Sequence, residues 1–235
     1  MQVEIWTDVN CPFCYLGKKR FVDALEKFEH ADQVDVVHRS FELDPTIPAG
    51  TTKSVFEHLA SKRGWSVEQA EDGERQLAAA ANEAGLEYVV AGRDVGNSFD
   101  MHRLLHWAHE LGRQDDMLDA LYLANFAESE PLFGSSERLV RIAVSAGFDA
   151  SEAREVLDDP TRYADAVRAD ERQAQELGVN GVPFYVFDRK FAVSGAQPVE
   201  LFSQVLDKAW SERPQPVVVA GGETCGPDGC EVPQN

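Results

Sequence analysis

Apolar positions at Val3, Ile5 and Trp6 sit in a short run near the start of the chain, and that run predicts a strand over Val3–Thr7. From Cys14 to Phe28 the apolar residues fall at Leu16, Phe21, Leu25 and Phe28, the spacing of one helix face. "VDVVHRSF" (Val34 to Phe41) then reads as a second strand, and "DPTIPAG" breaks the pattern with two prolines and a glycine. From about Thr52 to Leu177 helical spacing prevails, in segments separated near Gly64, Gly85, Gly96, Gly112, Gly134, Gly147 and Pro160. One apolar run in that stretch, "EYVVAG", is ambiguous. The period then returns to strand in "VPFYVF" and "KFAVS", joined across the polar turn Asp188 and Arg189, before a helix from about Pro198 to Ser211. Prolines, glycines and polar residues after Arg213 mark a tail. The chain thus reads as an α/β unit split by an all-helical insertion: core 1–48, insertion 49–176, core 177–212, and a flexible tail 213–235.

Composition narrows the functional classes. At 235 residues and 43% hydrophobic the chain can bury a full core. It has no apolar run long enough for a bilayer, and "MQVEIWTD" lacks the features of a secretory signal, so a cytoplasmic location is the expectation. Acidic residues number 41 against 22 basic, a net charge of -19, which argues against nucleic acid or an anionic membrane as partner. Only seven of the basic residues are lysine. Such a surface suits a protein that stays solvated in concentrated salt; high-GC coding bias accounts for the shortage of lysine equally well.

The chemistry concentrates in four cysteines. Cys11 and Cys14 form a Cys-x-x-Cys directly after the first strand, opening the first helix, where free amides and the macrodipole favour a thiolate on Cys11. Cys11 is therefore the expected nucleophile. Pro12 fits the first helical turn, and Cys14, one turn on and more buried, is the expected resolving thiol. Phe13 brings no charge to the pair, which predicts a less oxidising potential than a His there would give. The competing reading is half of a zinc site; the strand before, the helix after and the proline between favour redox chemistry.

Five stretches carry a resemblance: "DVNCPFCYLGKKRF" (Asp8 to Phe21), "FELDP" (Phe41 to Pro45), "NSFDMHRLLHWA" (Asn97 to Ala108), "GVPFYVF" (Gly181 to Phe187) and "VSGAQP" (Val193 to Pro198). In these the chain resembles the DsbA-like thioredoxin family and, within it, the FrnE type of disulfide oxidoreductase. The resemblance implies a thioredoxin-like core, an inserted helical domain covering one side of the active site, and thiol–disulfide exchange with proteins or small thiols. It also implies a cis peptide between Val182 and Pro183 facing the sulfurs, with the Val182 backbone oriented toward substrate. No cofactor is implied, though glutathione or another low-molecular-weight thiol fits as co-substrate. Related glutathione-dependent isomerases and kappa-class transferases carry serine where Cys11 stands, so that activity is the alternative. A homodimer is compatible with the sequence, which does not fix the oligomeric state.

Several weaker signals remain. Ser194, Gly195 and Ala196 are candidates to present amides to an anionic group such as the glutathione γ-glutamyl carboxylate, against an ordinary approach to the last helix. Asn97, His102 and Arg103 are candidates to line the substrate cleft. His102, His106 and His109 share one helix side, but no partner at matching spacing supports a metal, and none is assigned. Trp107, Phe126 and Phe133 read as core, and the acidic residues of "EQAEDGER" as a solvated helix face.

Cys225 and Cys230 lie in the tail, where a disulfide between them closes a loop whose entropy is worth only roughly 2 kcal/mol. That purely local gain is a poor reason for the pair. The residues from Ser211 to Cys225 reach roughly 45 Å when extended and about 20 Å as flexible coil, enough to bring the tail back to Cys11. A tethered dithiol acts at a concentration of order millimolar, so Cys225 and Cys230 are expected to be an accessory redox pair, as in some FrnE-type proteins with a C-terminal Cys-x4-Cys. A four-thiolate zinc site and a chaperone-like binder of unfolded chains are the rivals from other classes.

Overall fold

The structure is a computed structural model; it describes residues 1–213 and, as backbone, residues 225–226 and 229–230. Its centre is a four-stranded sheet in the order β2–β1–β5–β6. β1 (Gln2–Thr7) runs parallel to β2 (Asp35–Ser40) through α1 (Pro12–Leu25), and β5 (Phe184–Phe187) and β6 (Phe191–Ser194) add antiparallel to it. Period-2 alternation decides which residue faces where. Val3, Ile5, Tyr185 and Phe187 pack with Phe21 of α1 and with Phe202 and Leu206 of α9 (Val199–Ser211). On the opposite face Trp6 and Val186 pack with Ala174 and Val179. The expected hairpin between β5 and β6 is present: Asp188 and Arg189, both at positive φ (46° and 53°), are the central residues of a turn closed by the Lys190 amide donating to Phe187 O at 2.9 Å, with Lys190 completing a three-residue loop before Phe191 pairs with Phe187.

Between β2 and β5 the chain forms β3 (Thr52–Ser54), α2 (Val55–Arg63), α3 (Val67–Glu83), β4 (Asp94–Gly96), α4 (Phe99–Glu110), α5 (Gln114–Phe126), α6 (Ser136–Ser145), α7 (Ala150–Asp158) and α8 (Ala164–Glu176). The insertion is helical, as its periodicity predicts, but for one short ribbon in which β3 pairs antiparallel with β4. Gly96, expected as a helix stop, is a strand residue that passes so close to Phe133 that an added Cβ would lie 2.5 Å from that side chain. The stretch "EYVVAG" takes neither helix nor strand, and α1 stops at Leu25, three residues before Phe28, which stands edge-on to Trp210 at 5.6 Å.

The sequence boundary near residue 176 cuts through a packed contact. α8 belongs to the insertion by chain order, yet its Asp170 accepts hydrogen bonds at its backbone carbonyl from Trp6 Nε1 (3.0 Å) and at its carboxylate from the Ser40 amide (2.9 Å). Arg39 and His106 contact the same carboxylate at 3.3 and 3.1 Å. Gln114 of α5 donates to His38 O and accepts from His38 N, both at 2.9 Å, covering the backbone of edge strand β2 as a further strand would. A separate core of α4, α5, α6 and α7 side chains, Trp107 and Phe126 among them, with Phe133 of the α5–α6 loop, takes in Val9, Cys11, Cys14 and Tyr15 from the sheet domain. No helix among the described residues is long and apolar enough to cross a membrane. In the tail, β7 (Cys225–Gly226) pairs antiparallel with β8 (Gly229–Cys230), setting Cys225 opposite Cys230; their side chains lie outside the described residues.

Candidate active site

The first Cys-x-x-Cys stands at the seam between sheet and insertion. Cys11 is the N-cap of α1, in extended conformation, with Pro12 at the first helical position, where its missing N–H costs nothing. The Cys11 amide donates to Asp8 O at 3.0 Å, closing the turn after β1, and Tyr15 stacks on Phe126 of α5 at 5.1 Å, fixing the helix against the insertion. Gly17 faces β5 and the loop before it: a Cβ there would lie 2.6 Å from Tyr185 Oη and 3.0 Å from Pro183 Cγ. That close approach requires glycine.

The Val182–Pro183 peptide is cis, and Val182 O accepts from Cys11 Sγ at 3.4 Å. Both cysteines are free thiols, 4% and 1% exposed. Burial and the adjacent Cys11 push the Cys14 thiol well above its ordinary pKa, against smaller opposing contacts from Thr7 and the Asp8 backbone. Thr7 Oγ1 is in turn 2.5 Å from the buried Tyr122 hydroxyl. Burial, then the nearby cysteines, raise Tyr122 and Tyr185 too. Cys14 therefore rests protonated in a pocket of neutral hydroxyls, one helical turn behind Cys11.

In front of Cys11 lies a cavity of about 670 Å3, walled by Cys11, Pro12, Phe13 and Val182 on one side and by α2, α3 and β4 on the other. Phe13 is 46% exposed and Leu43 39%, so the rim beside the sulfur is apolar.

The remaining sequence candidates fall elsewhere. Arg103 is fully buried and does not line the cavity: its guanidinium donates to Asp159 O (2.7 Å), Arg162 O (3.2 Å), Leu157 O (3.3 Å) and Val156 O around the end of α7, and to Asp100. His102 is also wholly buried, its Nε2 3.6 Å from Asp8 Oδ1. Asn97 ties a loop, donating to Ile47 O at 2.9 Å and accepting from the Phe99 amide at 3.0 Å. The Gly195 amide is already committed to Pro183 O at 2.8 Å and is not free for the anion site expected there, and Ser194 is an exposed residue of β6. His106 turns to Asp170 and His109 is exposed, so the three histidines do not converge; among the described residues no group of three or more His, Cys, Asp or Glu is placed to hold a metal.

Two residues of the site escaped the sequence reading. Asp8 is buried and organises the loop around Cys11, accepting from the Asn10 amide (3.1 Å) and the Leu43 amide (2.7 Å). Glu74, taken from sequence as part of a solvated face, is 2% exposed and paired with Arg93, and both residues wall the cavity. Asp8 had a signal, its place three residues before Cys11; Glu74 had none, because Arg93 follows at no helical interval.

Comparison with known proteins agrees with this geometry. The DSBA-like thioredoxin domain family matches residues 2–207. A probable DsbA oxidoreductase from Streptomyces coelicolor is 54% identical, with 100% of each chain covered and a TM-score of 0.89. A 2-hydroxychromene-2-carboxylate isomerase (15% identity, 90% and 97% covered, TM-score 0.66) shares the fold. So does the cytosolic disulfide reductase DsbM of Pseudomonas aeruginosa with GSH (15% identity, 90% and 100% covered, TM-score 0.60). The chain belongs to the DSBA-like thioredoxin domain family and is a thiol–disulfide oxidoreductase.

Proposed function

We propose that the exchange runs through Cys11 and Cys14. The observation that carries this reading is the N-cap placement of Cys11, its sulfur against Val182 O and open to the cavity, with a buried, protonated Cys14 behind it. In the reducing direction the Cys11 thiolate attacks one sulfur of a substrate disulfide, forming a mixed disulfide and expelling the other sulfur as thiolate. Cys14 then gives up its proton and attacks Cys11 Sγ; the second substrate thiol leaves, and the protein's dithiol has passed two electrons to the substrate as it becomes the Cys11–Cys14 disulfide. An external thiol resets it. The reverse sequence oxidises a dithiol.

Cys225 and Cys230, opposite each other across β7 and β8, serve in this reading as an accessory pair that exchanges electrons with the first. DsbM, which shares the fold, is a cytosolic disulfide reductase, which goes with a cytoplasmic enzyme acting on protein or small-molecule thiols. The test is insulin-disulfide reduction with dithiothreitol, at high and low salt. Cys11→Ser abolishes turnover; equal activity in wild type and variant would remove Cys11 from the mechanism. A Cys225→Ser, Cys230→Ser double variant slows turnover, and unchanged rates with both insulin and small disulfides would remove the accessory role.

A further inference from the structure

The cavity beside Cys11 has an unusual polar element on an otherwise largely apolar wall. Arg93 and Glu74 are each 2% exposed in their side chains. Arg93 Nε donates to Asn125 O at 3.0 Å, and its Nη1 donates to Tyr88 Oη at 2.6 Å and to Glu74 Oε2. Tyr88 Oη donates to the same Glu74 oxygen at 2.8 Å. The guanidinium lies over Phe126 at 4.6 Å and over Tyr88 at 4.9 Å, contacts that help hold it in place. This network uses one guanidinium nitrogen and one carboxylate oxygen twice over, and leaves Arg93 Nη2 and Glu74 Oε1 without a partner among the described residues. Neither atom is among the fully enclosed polar atoms that lack a partner, and both residues line the cavity, so a bound group can reach them.

What would meet them is set by the surroundings. Leu59, Trp65, Leu77 and Val95 line the same cavity. Its other charges are occupied or peripheral: Lys62 contacts Asp44 at 3.5 Å, Arg63 lies over Trp65 at 4.8 Å, and the pKa of His58 is lowered by burial and then by Lys62. A free carboxylate brought to the Arg93–Glu74 pair would face an anion as well as a cation and would lose its water. A group that both accepts and donates, without net charge, suits both atoms at once.

We propose that the Glu74–Arg93 pair is a specificity element, selecting low-molecular-weight thiols or disulfides whose non-reacting end is apolar and closes in an uncharged amide. Arg93 Nη2 donates to the amide carbonyl, Glu74 Oε1 accepts from its N–H, the apolar body lies along Leu59, Trp65 and Leu77, and the sulfur is presented to Cys11. Glutathione, with two carboxylates and an ammonium, is a poor occupant of this wall. The inference rests on Cys11 being the reacting sulfur only for the direction in which the ligand lies; the recognition itself needs no sulfur.

The test uses that independence. Full-length Cys11→Ser protein is titrated calorimetrically with naphthalene-2-carboxamide, 2-naphthoate and 2-methylnaphthalene, which share one apolar body. The carboxamide binds at least about tenfold more tightly than either of the others, because the naphthoate meets Glu74 and the methyl compound leaves both atoms unpaired. Adding Glu74→Gln, a change of charge with little change of shape, leaves Arg93 as an uncompensated cation and reverses the order of carboxamide and naphthoate. Leu77→Trp, which fills the cavity from α3, removes binding of all three. No binding, a naphthoate equal to or tighter than the carboxamide in Cys11→Ser, or an order unmoved in a folded Glu74→Gln protein overturns the proposal. Insulin reduction by the wild type is measured in parallel: a lost ranking with Cys11-dependent turnover intact defeats the specificity element alone, whereas an inactive wild type defeats the exchange reading and leaves the ranking to stand on its own.

Discussion

Arg103→Met separates packing from chemistry at a residue whose sequence context suggested substrate contact. The side chain is 1% exposed and donates to four backbone carbonyls around the end of α7, as well as to Asp100. Two of those carbonyls, Val156 O and Leu157 O, lie in the last turn of α7 and would otherwise be orphans of the helix C-terminus. Methionine keeps most of the aliphatic volume but removes every donor, so the loss is the stranding of buried acceptors, not a cavity. Hydrogen bonds to a charged donor contribute about 1.5–3 kcal/mol each, but they share one guanidinium and do not add, so a total near 4 kcal/mol is the estimate. For a chain of this size Tm falls about 2–4 °C per kcal/mol, which gives a drop of about 8–16 °C. Arg103→Lys, with its charge kept and its fork lost, should recover about half. Thermal and urea unfolding, followed by far-UV circular dichroism, measure the shift, and insulin reduction at 25 °C measures turnover, which should stay within about twofold while the variant remains folded. A melting point unchanged from wild type, or a large loss of turnover with stability intact, would refute the structural assignment and return Arg103 to the substrate.

Further expectations concern the thiols and their supports. Cys14→Ser leaves Cys11 unable to be resolved, so a mixed disulfide with substrate accumulates and is seen as a mass adduct removed by dithiothreitol; a variant that turns over normally and traps nothing would contradict the assigned order. Gly17→Ala forces a Cβ into Tyr185 Oη and Pro183 and should cost about 1–3 kcal/mol together with turnover, while Tyr185→Phe in the same chain, by removing the nearer clash, restores part of the melting temperature. Burial alone would lower the His102 pKa, but Asp8, Glu42 and Glu171 more than offset it and hold the pKa above its ordinary 6.5. A pKa raised by folding adds stability that is full below about 6.5 and is lost as pH rises through the folded value. The urea midpoint should therefore fall from about pH 6 to about pH 8.5 by more in wild type than in His102→Gln, and parallel curves would count against the ion-pair network around His102.

The elements that position the cysteines were readable because each depended on neighbours in the chain. Val3–Thr7 is a short apolar run, Cys11–Pro12 sits where a helix begins, and Asp188–Arg189 is a two-residue polar break between apolar runs. The β3–β4 ribbon was not readable: Thr52–Ser54 is only three residues long and polar, and its partner lies some forty residues on, so no local period announces it. Glu74 and Arg103 misled for the same reason from opposite sides. Each is an ordinary charged helix residue by sequence, and what buries it comes from remote loops, Arg93 in one case and the end of α7 in the other. Gly195 looked available until Pro183 O was seen to take its amide.

Asp170 carries a consequence for the kinetics of the thiols. One aspartate near the end of the insertion holds the Trp6 indole, the Ser40 amide and Arg39 of the first two strands, which predicts that core and insertion open as one cooperative unit. Cys11 and Cys14 both belong to the core shared with the insertion, but Cys11 also lines the cavity and Cys14 does not. Alkylating reagents should thus label the two sulfurs on separate clocks, Cys11 at the pace of the reagent and Cys14 only at the pace of global unfolding, matching the slowest-exchanging amides of β1 and β2.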